Sequence, residues 1–362
     1  MGVGIEFAHQ TFKWKNEAKD NAGVYCVIVG LSANPSYGKL FVYQDVNGTP
    51  SSEIVTEING YLIEGKRQIY VREASEGLSD SAKPIMFGNM PADNGALIIE
   101  ADESAEFMTD YLVRPYVYKY VGSKEMLHSI ERYCLWLVNA PKDVVQKDFI
   151  QRRVLDCQQF RLKSPRVGTI KAAEYPELFM ERRFDIPPET MIVIPSCSSE
   201  RRDYVPIGFM GNDTIVSNSC HIVPNGTLYD FGILESRMHM TWMRTVCGRL
   251  KSDYRYSRDL CYNTFPWPEA KETQRQVIEV LAQKVLDARD FYPELTLADL
   301  YDPDKMPPEL KDAHEHLDRA VDQLYRAKAF ENDEERLQML FEKYEKLAAA
   351  VKVETAKKGK TK

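Results

Sequence analysis

The sequence contains no Cys-x-x-Cys pair. Its seven cysteines, Cys26, Cys134, Cys157, Cys197, Cys220, Cys247 and Cys261, are scattered along the chain. That spacing argues against a zinc ribbon or a disulfide framework and reads as reduced core residues. No apolar run approaches the roughly 18 residues that a membrane span needs. The opening MGVGIEFAHQTFKWK lacks the charged-then-apolar layout of a secretory leader, so the expectation is a cytoplasmic protein. Histidine is scarce. His9, His128, His221 and His239 stand alone, and His314 and His316 are two apart in a helical pattern, so they face different ways and share no metal. No Gly-rich loop closes a strand, and the fragment Gly2-Val3-Gly4 has no strand before it, so no phosphate cradle is read here. By itself the chain shows no catalytic centre.

What is present is a globular composition with an uneven charge. The 362 residues are 44% hydrophobic and 11% aromatic, enough for two or three domains. The net charge is −7, from 47 Lys+Arg against 54 Asp+Glu, and polyanion binders usually run basic. The average hides a division. Residues 1–141 carry −6, residues 142–268 carry +3 and residues 269–362 carry −4, and 13 of the 18 cations in the middle block are Arg. Arg is the side chain suited to bidentate contacts with phosphates and base edges.

The pattern along the chain predicts a mixed α and β protein. GIEFAHQTFKW reads as a strand, and GVYCVIVGLS (residues 23–32) as a fully buried one with few neighbours to form a sheet. INGYLIEG and KRQIYV read as strands, and FGNMPADNGALIIEADE as turn-rich. GSKEMLHSIERYCLWLV and PKDVVQKDFIQRRVLDCQQFRLK read as helices; the second has an apolar stripe of Val144, Phe149, Ile150, Val154 and Leu155, with Arg152, Arg153, Arg161 and Lys163 off it. Short strands return over residues 180–230. DFGILESRMHMTWMRTVCG follows as a helix stopped by Gly248. Three amphipathic helices after residue 270 are each too short to stand alone, so they pack together or onto the middle domain.

Two catalytic patterns fail on context. Asn34-Pro35-Ser36-Tyr37 approaches the Asn-Pro-Pro-Tyr/Phe loop of amino-methyltransferases, but the second proline is serine and no cofactor loop accompanies it. It reads as a plain turn. Asp304, Glu309 and Lys311 spell a loose nuclease pattern. They lie at the start of a helix rather than on adjacent strands that share a metal, and read as a solvated helix start.

The basic segment RLKSDYRYSR, residues 249–258, is stronger. Strand alternation places Lys251, Asp253, Arg255 and Ser257 on one face. Such a face offers donors beside an acceptor, which is what reading base edges requires: Lys or Arg donates to guanine O6 and N7, and Asp accepts from cytosine N4. The plainer alternative is a solvated edge strand with a local Lys–Asp pair. Arg201/Arg202 and Arg182/Arg183 are further doublets that suit phosphates.

The segments FAHQTFKW, GNMPADNGALIIEADE, ERYCLWLV, SSERRDYVPIGF, SRMHMTWMRTVCGRLKSDYRYS and YNTFPWPE resemble, in this order, the C-terminal half of the MmeI-like family. Its members are single-chain restriction–modification enzymes that methylate an adenine amino group in DNA. The resemblance covers most of residues 5–350. It implies an α+β chain holding the last strands of a Rossmann-like methyltransferase sheet, a mixed α/β target-recognition domain and a C-terminal helical bundle. The implied divisions are 1–84, 85–268 and 269–352, with a disordered basic tail at 353–362. The nuclease, the cofactor loop and the catalytic Asn-Pro-Pro loop of the family are expected before residue 1, in an upstream half that a split or truncated gene separates. S-adenosylmethionine then belongs to the complete enzyme, and the partner is double-stranded DNA. The resemblance implies base readout by Lys251, Asp253 and Arg255, with guanine beside the methylated adenine. It implies backbone contacts from Arg249, Ser257, Arg258, Arg244, Arg237, Arg201 and Arg202, and stacking of the flipped adenine on Phe12 and Trp14. A non-catalytic specificity subunit that works with a separate methyltransferase polypeptide, and a remnant that binds no DNA, stay open as alternatives.

Overall fold

The computed structural model describes residues 3–14, 24–43, 47–65 and 69–359, with side chains to residue 351. The chain forms two compact units, residues 1–74 with 330–362 and residues 75–329.

The first unit holds β1 (Gly4–Trp14), β2 (Val24–Ser32), β3 (Gly38–Val42), β4 (Ser51–Val55) and a long final helix, α11 (Asp333–Gly359). The sheet order is β2-β1-β3-β4, with β1 and β3 parallel over a small core of Ala8, Leu40, Val55 and Ile58. The burial expected of residues 23–32 is not found. Val27, Ile28, Val29 and Leu31 are exposed, because among the described residues β2 is an edge strand paired only with β1. INGYLIEG is a turn: Asn59 N–H donates to Ile63 O and Leu62 adopts φ +58°. Lys66, Arg67 and Gln68 of the expected KRQIYV strand lie outside the described residues. The third amphipathic helix, α11, joins these strands rather than the other two helices. Its aromatic face explains this: the Tyr344 hydroxyl accepts from Arg72 N–H at 2.9 Å, and Phe341 meets the Tyr61 ring at 5.2 Å. The α11 backbone runs on to Gly359; residues 360–362 and the side chains after 351, where the basic tail is expected, lie outside the described residues.

The second unit begins with β5 (Met86–Phe87), β6 (Ile98–Glu100), α1 (Ser104–Thr109), β7 (Val117–Val121), α2 (Ser123–His128), β8 (Arg132–Leu135), α3 (Lys142–Val145), α4 (Asp148–Leu162) and α5 (Val167–Lys171). It continues with β9 (Thr190–Pro195), β10 (Cys197–Ser198), β11 (Gly208–Gly211), β12 (Thr214–Val216), β13 (Cys220–Pro224), α6 (Leu228–Leu234), α7 (Arg237–Val246), β14 (Gly248–Leu250) and β15 (Asp253–Arg255). The helices α8 (Glu272–Asp290), α9 (Leu297–Leu300) and α10 (Pro308–Tyr325) close it. Its sheets run β11-β9-β13-β5, β12-β7-β8-β6 and β10-β15-β14. MIVIP of β9 is wholly buried, as its continuous apolar run requires.

Three local readings change. The expected helix over residues 122–138 ends at His128, with Ser129 left-handed, and the aromatic-rich run after it pairs as β8. Strand packing outweighs helical pattern there. The helix over residues 230–248 breaks in two: the Ser236 hydroxyl caps α7 by accepting from His239 N–H, while Glu235 turns inward. Third, Arg161 is no surface cation. It is 0% exposed, and its guanidinium donates to the carbonyls of Ala92, Ala172, Tyr175, Pro91 and Leu178. One side chain on α4 thereby fixes two loops.

The helical brace is tied to α6 and α7 by a buried polar chain. Glu235 pairs with Arg289 of α8. The Tyr301 hydroxyl bonds Glu235 and lies 2.9 Å from His314 Nε2 of α10. Nearby, Tyr204 donates to Asp318 at 2.6 Å, which also accepts from the Arg237 backbone N–H. Burial pushes Glu235 up to about 7 against the pull of Arg289. Gly232 makes the close helix contact possible, since a Cβ there would lie 2.7 Å from Ile278 of α8.

Candidate nucleic-acid interface

Residues 248–255 form a hairpin of β14 and β15 with a two-residue loop, Lys251-Ser252. Such tight loops need a positive φ, and Lys251 supplies it at +58°. Lys251 is therefore at the tip, exposed, rather than in the strand. Strand alternation holds from Asp253 onward: Tyr254 and Tyr256 are buried, and Asp253, Arg255 and Ser257 are on the more open side. Cross-strand partners share a face. Asp253 therefore lies with Leu250, and Arg255 with Gly248, whereas Arg249 pairs with Tyr254 on the other face. The Arg249 guanidinium lies 3.8 Å from the Tyr254 ring centroid and donates to Ser252 O.

The inward face anchors the hairpin. Tyr256 OH meets His239 Nε2 of α7 at 2.9 Å, and β10 pairs with the far edge of β15. Burial pushes His239 down to about 3; it also pushes His221 down to about 4, with help from the Arg258 charge. Both histidines are thus neutral in the folded state. The unfolded chain binds more protons below its ordinary histidine value of roughly 6.5, so this stability is present above that pH and is lost as pH falls toward the folded values. Replacing His239 with Gln should flatten the fall in unfolding free energy between about pH 6.5 and pH 4.5 by up to ~1.4 kcal/mol per pH unit relative to the parent. Urea titrations at several pH values measure this, and parallel curves for the two proteins would refute it.

Arg201 ion-pairs with Asp304. The Arg202 guanidinium reaches Ser198 Oγ at 3.4 Å. Arg244 of α7 donates to Arg202 O and to Asp203. Arg258 pairs with Asp259 and lies over the Phe87 ring. Ser257 caps the following turn by accepting from Leu260 N–H. Arg237 opens α7. Of these, Arg201, Arg202 and Arg244 meet at the loop of residues 199–203, whose strand β10 borders the hairpin, whereas Arg237 lies at the opposite end of α7, where its backbone N–H meets Asp318, and Arg258 lies over Phe87. Phe12 and Trp14 belong to the first unit. There Phe12 stacks on Tyr43 at 5.2 Å beside Trp14 and a stacked His9–Phe41 pair at 4.0 Å, with His9 Nδ1 bonded to Tyr43 OH. The residues that the pattern missed are His9, Phe41 and Tyr43, which come together only through the β1–β3 pairing.

Family models match three consecutive stretches. The target recognition domain of MmeI matches residues 65–269, the MmeI C-terminal domain residues 270–352 and the MmeI DNA-methyltransferase domain residues 1–44. The chain belongs to the MmeI family. The hairpin described above lies inside the recognition-domain match, and α8 to α10 lie inside the C-terminal match. DNA methyltransferase A of Bacillus subtilis (strain 168) is 43% identical over 353 residues, which are 96% of this chain and 39% of that protein. A solved structure of the type IIL restriction-modification enzyme MmeI in complex with DNA superposes with a TM-score of 0.86 at 37% identity, covering 96% of this chain and 46% of that one. This MmeI-family chain therefore spans less than half the length of these relatives.

Proposed function

We propose that the chain is the DNA-recognition portion of a site-specific, S-adenosylmethionine-dependent adenine-N6 methyltransferase of the MmeI type. The observation that carries this reading is the hairpin of residues 248–255. It sets Lys251, Asp253 and Arg255 outward on a rigid, aromatic-anchored base. A donor and an acceptor at the tip of the hairpin, beyond the part that β10 pairs with, suit contact with base edges in the major groove. Arg249, Arg258, Arg244, Arg237, Arg201, Arg202 and Ser257 are the candidates for phosphate contact, several of them while also bracing the loops. Phe12 and Trp14 extend an aromatic cluster suited to stacking on an extruded base. We propose the divisions 1–84, 85–268 and 269–352 for the methyltransferase remnant, the reading domain and the brace.

The cofactor is not assigned to residues of this chain. Among the described residues, no Gly-rich loop follows a strand end to hold it. A non-catalytic specificity subunit would use the same surface.

The test is a duplex titration of the purified chain. With about four phosphate contacts, affinity falls roughly 100-fold between 50 and 200 mM salt. No duplex binding at the lower salt would refute the proposal.

A further inference from the structure

Arg255 stands between two small residues. Gly248 of β14 is its partner on one side and Cys197 of β10 on the other, and cross-strand partners share a face. β14 is the outer strand in the order β10-β15-β14, so among the described residues the place over Gly248 opens at the sheet edge. A Cβ built on Gly248 would meet nothing within 4 Å, the Arg255 side chain included. The next row toward the tip is filled, with Leu250 opposite Asp253. Arg255 is exposed, and among the described residues no hydrogen bond or ion pair holds its guanidinium. Arg201, Arg244 and Arg258, by contrast, are paired with Asp304, Asp203 and Asp259.

The fold itself gives no reason for a glycine at residue 248. The helix stop expected there is made earlier: α7 ends at Val246, and Cys247 is already extended. Among the described residues Gly95 is the one glycine with a positive φ, so the backbone at Gly248 suits any residue. The β14–β15 register runs without a bulge, and no neighbour needs the room. Glycine weakens a strand, and where no bulge or bend explains it the remaining cause is close approach of a ligand or another backbone. We propose that Gly248 is a specificity-determining position for base recognition: by leaving the place beside Arg255 empty it admits the edge of the base that Arg255 reads. The inference rests on the DNA-recognition reading. An arginine reads guanine by lying in the plane of the base and donating twice, to O6 and N7. A branched side chain at residue 248 would start roughly 5 Å from the Arg255 Cβ on the same face and hold that base edge off the guanidinium.

The experiment selects from a pool of randomised duplexes with the full chain, for the parent, Gly248→Ala, Gly248→Val, Arg255→Ala and the double variant Gly248→Val with Arg255→Ala. Arg255→Ala marks the base pair that Arg255 reads. At that pair Gly248→Val should lose about tenfold or more of the discrimination and Gly248→Ala about threefold, with the other positions and the salt dependence intact. The double variant should discriminate there no worse than Arg255→Ala alone, because the space serves only that side chain. Gly248→Ala should melt at or above the temperature of the parent, since its Cβ meets only solvent. If Gly248→Val does not fold, Gly248→Ala decides. Unchanged discrimination in the deciding variant, a loss spread evenly over all positions, or an additive loss in the double variant overturns the inference alone. So does a lowered melting temperature in Gly248→Ala, or an Arg255→Ala variant that keeps the parent's motif. Failure of the parent to enrich any sequence overturns the recognition reading and this inference with it.

Discussion

Replacing Arg161 with Met should destabilise the second unit by about 3–5 kcal/mol, a large part of the roughly 5–15 kcal/mol that holds an ordinary domain together. All five N–H groups of the guanidinium are used, each on a main-chain carbonyl. The Arg161 side chain thereby ties residues 91–92 to residues 172–178. Met keeps an apolar stem but donates nothing, so five buried acceptors lose a donor together. Arg161→Lys keeps the charge but has three donors in place of a planar fork of five, so it should recover only part of the loss. Thermal and urea unfolding of the three proteins decide the matter. A Met variant within 1 kcal/mol of the parent would show that the loops are held by something else.

The second large effect concerns specificity rather than stability. Exchanging Lys251 for Glu and Asp253 for Arg reverses donor and acceptor on the outward side of the hairpin, and both positions are open enough to accept the change. If these side chains read a base pair, preference at that pair should turn from guanine toward cytosine. Each direction of the swing amounts to about 1–3 kcal/mol, roughly a 5- to 150-fold change in relative affinity. Thermal stability should stay within about 0.5 kcal/mol, as for other surface substitutions. Selection from randomised duplexes gives the motif of each protein. An unchanged motif would mean that Lys251 and Asp253 only decorate the hairpin.

Much of the second unit was legible because its signals are local. α4, α8 and α10 follow from apolar spacing, and β9 and β13 from unbroken apolar runs. The strand β15 follows from alternation in SDYRYS, down to the inward tyrosines, whereas the turn that places Lys251 at a hairpin tip does not. What escaped depends on partners distant in sequence. The break at Glu235 is made by Arg289, more than fifty residues away. Arg161 carries the same letter as the exposed arginines beside it, and only the convergence of two loops distinguishes it. β2 has the sequence of a buried strand, but burial is a property of neighbours, and its described neighbour is β1 alone. At the candidate site, the left-handed backbone of Lys251 carries no sequence signature, because a lysine is not the residue that such a turn usually selects.

The two-residue turn of that hairpin also sets how the surface can diversify. Outward and inward side chains alternate along β15, and the inward set, Tyr254 and Tyr256, is buried against α7 and β10. Substitution at residues 253 and 255 changes what is presented without disturbing what is packed. Insertion or deletion of one residue in β15 would exchange the two sets, pointing tyrosines outward and charges into the core. Variation in this part of the molecule is therefore open in side-chain identity and closed in chain length. A lineage can explore new surfaces here by point change, one base preference at a time, while the length of the ribbon stays constant.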